Sequence, residues 1–178
     1  MSVTSDHPRS AAAHELAALL VPGQRVCLIT HVHPDGDGMG SEVAMVHLLR
    51  AQGVEVVITN PTPTPERFAF LLRDLPGVDR TAQAVKEIRR ADLILVLDIA
   101  DLSRLGQLGD AVRERGVPVA CIDHHTGSGQ LPPGPRLVDA TAAATGELVY
   151  LLARDLGWTV TREVAHAVYV AIVTDTGS

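Results

Sequence analysis

Val26-Cys27-Leu28-Ile29-Thr30-His31-Val32-His33-Pro34-Asp35-Gly36-Asp37 opens as a continuous apolar run and closes as a cluster of histidine, aspartate and glycine. A short run without polar alternation is the pattern of a strand covered on both faces, as in a parallel sheet. Downstream, residues 39–52 carry Val43, Val46, Leu48 and Leu49 at helical spacings and stop at Gly53, after which residues 54–59 return to strand. The three segments make a βαβ unit, whose crossover is right-handed. The same kind of apolar run recurs at 93–97, ending at Asp98, and at 117–122, ending in Asp123-His124-His125. The chain reads as α/β, an open parallel, Rossmann-like sheet with helices on both faces.

The intervening segments complete that outline. Asn60-Pro61-Thr62-Pro63-Thr64-Pro65 cannot continue a central strand, because each proline lacks a ladder donor, and it leads into a short helix at 66–72. Helices are expected at 11–20, 81–90, 105–115, 141–156 and from 162 to about 173, with a surface loop at 127–135. The polar turn Asp175-Thr176-Gly177-Ser178 is expected to follow the last helix.

Composition excludes several classes of function. The 178 residues are 46% hydrophobic and 20% charged, as in ordinary globular domains. Lys+Arg 15 against Asp+Glu 21 gives a net charge of -6, so no broad basic surface exists to hold a long nucleic acid. Aromatic residues, at 3%, are too few for a base-stacking platform. No apolar run approaches the roughly 18 residues of a membrane span, and the segment 11–20 is broken by His14 and Glu15, unlike a signal peptide. Cys27 and Cys121 lie in apolar runs and read as reduced core thiols, which suits the cytoplasm.

The chemistry lies where the acids and histidines fall. His31, Asp35 and Asp37 follow one buried strand, Asp98 ends the next, and Asp123, His124 and His125 end a third. All are carboxyl ends, outside which ligands bind in open parallel sheets. Asp35, Asp37, Asp98 and Asp175, with His31 and His124 beside them, cannot stay ionised together unless positive charge balances them. Two divalent cations supply four positive charges for four carboxylates, and mixed carboxylate and imidazole donors favour Mn2+ ahead of Mg2+, Fe2+ or Co2+. Gly36, Gly38 and Gly40 match neither G-x-G-x-x-G nor a P-loop, and Asp35 and Asp37 among them would repel phosphate. These glycines are read as serving the turn and close helix packing. His33 is left open between a site role and none, while His7, His14, His47 and His166 are read as solvated or merely packed.

Four motifs in order carry a resemblance: His31-Val-His-Pro-Asp35-Gly-Asp37-Gly-Met-Gly-Ser41, Leu97-Asp98-Ile-Ala-Asp101, Asp123-His124-His125 and Thr174-Asp175-Thr176-Gly177. From about Val26 to Ser178 the chain resembles the N-terminal catalytic domain of the DHH phosphoesterase superfamily, and within it the bacterial nanoRNase group. That group hydrolyses short oligoribonucleotides, 3'-phosphoadenosine 5'-phosphate and pApA, a linear product of cyclic di-AMP. The resemblance implies that His31, Asp35 and Asp98 hold one Mn2+, and that Asp37, Asp98, His124 and Asp175 hold the other, with Asp98 bridging. A water activated between the ions would then be the nucleophile. His125 resembles the family's substrate-side catalytic histidine, Asp123 orients its neighbours, and Arg104 stands between a phosphate contact and an ordinary ion pair.

The resemblance also separates branches. A histidine four residues before Asp35 is shared by the nanoRNase and family II pyrophosphatase branches, whereas the RecJ-like branch carries an all-aspartate motif. Gly38-Met-Gly-Ser41 and Thr141-Ala-Ala-Ala-Thr145-Gly-Glu147 look more like the nanoRNase pattern than the pyrophosphatase one. Family members carry a C-terminal DHHA1-type domain that grips substrate and are expected to be homodimers when full-length. Residues 1–178 are expected to be the DHH domain alone, ending at its fourth motif, with 1–22 a helical N-terminal extension. The alternatives are a pyrophosphate or polyphosphate hydrolase and, from another class, a catalytically silent metal-dependent nucleotide-binding module.

Overall fold

Strands β1 (Arg25–Ile29), β2 (Glu55–Ile58), β3 (Leu93–Leu97), β4 (Val119–Asp123) and β5 (Arg136–Val138) pair in parallel in the order β2-β1-β3-β4-β5. The computed structural model describes residues 8–99, 101–126, 130 and 133–177. Leu28 pairs with Ile58 on one side and Leu95 on the other, and Leu95 pairs in turn with Ala120. Between β1 and β3 the strand order reverses direction, and the crevice at such a switch point is where open α/β sheets bind ligands.

Alternation along the strands divides the core into two layers. Val26, Leu28, Leu95 and Ile122 face α1 (Pro8–Ala18), α2 (Gly36–Ala51), α5 (Thr145–Asp155) and α6 (Arg162–Thr176). Cys27, Ile29, Ile94, Val96 and Cys121 face α3 (Ala84–Ile88) and α4 (Leu108–Arg115). Helices thus cover both faces, as the continuous apolar runs require. The two cysteines are unbonded, and burial pushes their thiols up to about 11 and about 12. Among the described residues no helix is long and apolar enough to cross a membrane.

Element boundaries depart from the sequence pattern where side chains intervene. Helix α2 starts at Gly36 rather than 39, because the Asp35 carboxylate accepts from the Asp37 and Gly38 amides at 3.1 and 3.0 Å and caps it. Glycine within a helix costs about 1 kcal/mol relative to alanine, so these glycines need a packing reason. A Cβ on Gly40 would lie 2.5 Å from the Ala167 carbonyl oxygen, and one on Gly36 would overlap Thr174, both on α6.

The helix expected at 141–156 starts only at Thr145, because Asp139 takes the Thr141 amide and hydroxyl at 2.9 and 2.6 Å. The helix expected at 105–115 divides at Gly106, whose φ is 53°, into a 3-10 turn at Leu102–Leu105 and α4. That expected at 81–90 is a 3-10 turn, Thr81–Gln83, followed by α3, and the one at 66–72 is a 3-10 helix, Glu66–Leu72. The first helix starts at Pro8, and α6 runs to Thr176, so Asp175 lies on its last turn rather than in a following polar turn. Strand β5 was not expected, since only Leu137 of its three residues is buried. Residues 1–7 with His7, and 127–129, 131 and 132 of the expected loop, lie outside the described residues.

Candidate metal centre

Each strand exit delivers its acid or imidazole to the switch point by a local device. The His31 Nδ1 contacts the Val32 carbonyl at 2.8 Å; the carbonyl only accepts, so Nδ1 carries a proton and Nε2 is the nitrogen turned to the carboxylates. Asp98, directly after β3, has φ 59°, a left-handed backbone that aspartate tolerates better than most residues and that is common where a functional geometry is enforced. Asp37 enters from the first turn of α2 and Asp175 from the last turn of α6. The helix packing permitted by Gly36 and Gly40 brings those two turns together.

The side chains converge as two sets sharing Asp98. His31 Nε2 lies 3.5 Å from Asp35 Oδ2 and 3.4 Å from Asp98 Oδ2. His124 Nε2 lies 3.5 Å from Asp37 Oδ2, 3.7 Å from Asp98 Oδ1 and 3.6 Å from Asp175 Oδ2. Two donors bound about 2.1 Å from one ion at 90–110° stand about 3.0–3.4 Å apart, close to these spacings. Both Nε2 atoms are buried without a hydrogen-bond partner, which is costly unless something else occupies their lone pairs. The donor atoms within the sets His31/Asp35/Asp98 and Asp37/His124/Asp175 all lie within 4.8 Å of one another. A divalent cation in each would satisfy both imidazoles.

Electrostatics supports the same conclusion. Burial and the neighbouring Asp98 push the Asp37 carboxyl up to about 8. Burial opposes ionisation of Asp35 and protonation of His31, but their mutual contact outweighs it, holding Asp35 down at about 2 and His31 up at about 10. Without added positive charge this cluster takes up protons to balance itself. Metal ions would displace those protons.

His125 sits at the rim, its side chain 35% exposed, with Nδ1 held at 2.7 Å by Asp123 Oδ1. The same nitrogen is 3.5 Å from Asp98, and Asp98, His124 and His125 form a third group of converging donors. Because Asp123 engages Nδ1, Nε2 is the nitrogen left for a ligand. Asp123 is itself buried and also accepts the His125 amide at 3.2 Å. Arg104 is brought near only through its backbone, whose carbonyl accepts from the Val32 amide at 2.9 Å. Its guanidinium forms no ion pair among the described residues. His33 is exposed, with φ 56° and its amide donating to Thr62 Oγ1 at 2.8 Å.

Three contributors carry no metal-ligating chemistry and so do not stand out in the sequence. The free first-turn amides of α5, from Thr145 and Gly146, donate to Asp37 at 2.7 and 2.9 Å, and the Ser41 hydroxyl joins them at 3.2 Å. The Thr145 hydroxyl reaches Asp98 at 3.1 Å. Their sequence signal is confined to motif membership, Ser41 closing the first motif and Thr145-Gly146 lying inside the stretch 141–147.

The profile of the DHH family, N-terminal domain, matches residues 25–172. The chain belongs to the DHH family. Its curated relatives include the bifunctional oligoribonuclease and PAP phosphatase NrnA of Thermus thermophilus, 34% identical over 157 residues, 86% of this chain and 44% of that protein. The Bacillus subtilis protein of the same name is 31% identical over 85% of this chain and 46% of its own length. A probable manganese-dependent inorganic pyrophosphatase of Streptococcus mutans is 28% identical over 85% of this chain and 48% of its own length. The DHH chain thus spans about half the length of these relatives. Among solved structures, an exopolyphosphatase-related protein from Bacteroides fragilis superposes with a TM-score of 0.82 at 27% identity, covering 94% of this chain and 50% of that one. The three curated relatives carry the names of hydrolases.

Proposed function

We propose that this DHH domain hydrolyses phosphoester bonds in short nucleotides, such as oligoribonucleotides, 3'-phosphoadenosine 5'-phosphate or pApA, using two divalent ions, Mn2+ foremost. The observation that carries the reading is the pair of buried, unpartnered imidazole nitrogens of His31 and His124, each facing two or three carboxylate oxygens at 3.4–3.7 Å. His31, Asp35 and Asp98 would hold one ion, and Asp37, Asp98, His124 and Asp175 the other. A bound pair of such ions lowers the pKa of water and offsets charge on the phosphoryl oxygens.

The remaining roles belong to the chain. Asp123 holds Nδ1 of His125 and so presents Nε2 toward substrate, where it can hydrogen-bond a phosphate oxygen as negative charge develops. Arg104 offers to a second phosphate a guanidinium that is in no ion pair among the described residues. The names of the two NrnA relatives support a nucleotide substrate. In the whole protein we place substrate grip and dimerisation with chain beyond this domain, and its site of action in the cytoplasm.

The test is release of phosphate or nucleotide from 3'-phosphoadenosine 5'-phosphate, pApA and pyrophosphate with added Mn2+, by this chain and by a form extended to the relatives' length. Turnover of the adenosine compounds supports the proposal. Turnover of pyrophosphate alone supports the second reading, an inorganic pyrophosphate or polyphosphate hydrolase, which the Streptococcus mutans and Bacteroides fragilis proteins favour. Manganese binding without any turnover would leave a nucleotide-binding module.

A further inference from the structure

Behind the candidate metal centre, α2 carries a carboxyl group for which the hydrolytic reading has no use. Glu42 is 0% exposed, and its Oε1 has no hydrogen-bond partner. Burial pushes it up to about 8. An apolar side chain of similar size would fill the same slot without the cost of burying a carboxyl.

What Glu42 touches gives it a task. Its Oε2 accepts a hydrogen bond from Asn60 Nδ2 at 2.8 Å, and Asn60, only 1% exposed, lies just beyond the end of β2. Asn60 Oδ1 in turn accepts from the Thr30 backbone amide at 2.9 Å, and Thr30 is bonded directly to His31. One residue earlier the ladder is still backbone to backbone, the Thr59 amide donating to the Leu28 carbonyl at 2.9 Å. At Thr30 a side chain therefore takes over from the sheet and sets how β1 leaves it. An amide side chain has two nearly isosteric orientations, and here an acceptor on the α2 side selects the one with oxygen toward Thr30. Turned over, the NH2 would face the Thr30 N–H.

We propose that Glu42 is a positioning residue for the metal centre: by fixing Asn60 it locks the exit of β1 and holds the His31 imidazole at its ion site. The clamp also joins two elements that bring ligands from different parts of the chain, since α2 presents Asp37 and β1 presents His31. It rests on the two-metal reading of the site. Ser41, the preceding residue, supports the other set directly through Asp37.

The test is Mn2+ binding to the metal-stripped protein, followed by calorimetry and by electron paramagnetic resonance, which separates a coupled ion pair from a single ion. Substituting a residue that supports a metal ligand typically weakens the ion by about 10–100-fold. Glu42→Leu and Asn60→Ala are expected to do so at one of two ions, replacing the coupled-pair signal with that of a single ion. Glu42→Gln, whose amide oxygen accepts equally well from Asn60, is expected to bind both ions as the wild type does. Wild-type binding of both ions by Asn60→Ala, or a loss in Glu42→Gln as deep as in Glu42→Leu, overturns the clamp. Should Glu42→Leu fail to fold, the other two variants decide. A wild-type protein that binds no manganese overturns the metal reading instead.

Discussion

The two ends of the sheet treat charge in opposite ways. At the amino end, Arg25 of β1 pairs with Glu55, its register partner on β2, and with Glu87 of α3, while its amide donates to Asp92 at 2.9 Å. Glu87 is buried, yet Arg25 outweighs that burial and holds its carboxyl below the usual range. At the carboxyl end, Asp35, Asp37, Asp98, Asp123 and Asp175 gather with three histidines, and among the described residues no lysine or arginine pairs with any of them. One end balances its acids from within the chain. The other is built to receive its balance from outside, and such unpaired charge persists where function requires it.

The largest expected effect comes from removing the carboxylate that both sets share. Asp98→Asn deletes one charge from each ion's surroundings, so manganese binding should fall by more than the 10–100-fold typical of a supporting residue, with hydrolysis lost. Calorimetry and phosphate release check this, and two ions bound at wild-type affinity would dissolve the bridge. The matching change at the amino end is Arg25→Met, which leaves the buried Glu87 only the distant, exposed Arg90 at 4.0 Å. It should cost about 3 kcal/mol and lower Tm by about 10 °C while leaving manganese affinity unchanged. Loss of metal binding in that variant would show that the two ends are coupled.

Acid and alkali should separate the ends without mutation. Asp37, raised from an ordinary 3.8 to about 8, favours folding most fully below its unfolded value, and that contribution is lost as pH rises through about 8. Glu87, lowered from 4.5, contributes above its unfolded value and loses that contribution as pH falls through its folded value. The metal-stripped protein is therefore squeezed from the carboxyl end at high pH and from the amino end at low pH. Metal-stripped Asp37→Asn should melt above wild type at about pH 9, with the gap narrowing toward about pH 5, and saturating Mn2+ should reverse the order. Thermal melts across pH check the sign, and a gap independent of pH would remove Asp37 from the alkaline limb.

The contrast also bears on what the sequence could reveal. The sheet was legible because a strand buried on both faces needs an unbroken apolar run, and 93–97 is that strand to the residue. The ligand-type residues stood out because carboxylates and imidazoles at successive strand exits have no structural reason to accumulate. Residues that act through the backbone or through geometry leave no such trace. The Thr145 and Gly146 amides become available only because Asp139 delays the start of α5, and periodicity does not see that competition. Asp175 likewise sits on α6 rather than in a polar turn, and there the Thr174 and Thr176 hydroxyls bond back to the Val170 and Ile172 carbonyls at 2.8 and 2.7 Å instead of breaking the helix. Glu42 lies within the helical stretch 39–52, where nothing in the pattern sets it apart, and only its partner Asn60, just beyond β2, gives it meaning.

The smallest expected effect, and the finest test of where the metal centre ends and substrate recognition begins, lies at Arg104. Its carbonyl ties the 3-10 turn after β3 to Val32, a bond that alanine keeps, so Arg104→Ala should change stability by no more than about 0.5 kcal/mol. Manganese affinity should not move, because the guanidinium pairs with none of the ligand carboxylates. If that guanidinium meets a phosphate present in both ground and transition states, KM should rise by about 10-fold with kcat unchanged. A fall in kcat at constant KM would instead place it against charge that appears only during reaction. Unchanged kinetics would make Arg104 an arginine whose backbone alone matters, and would leave the proposed phosphate contact, among the described residues, to His125.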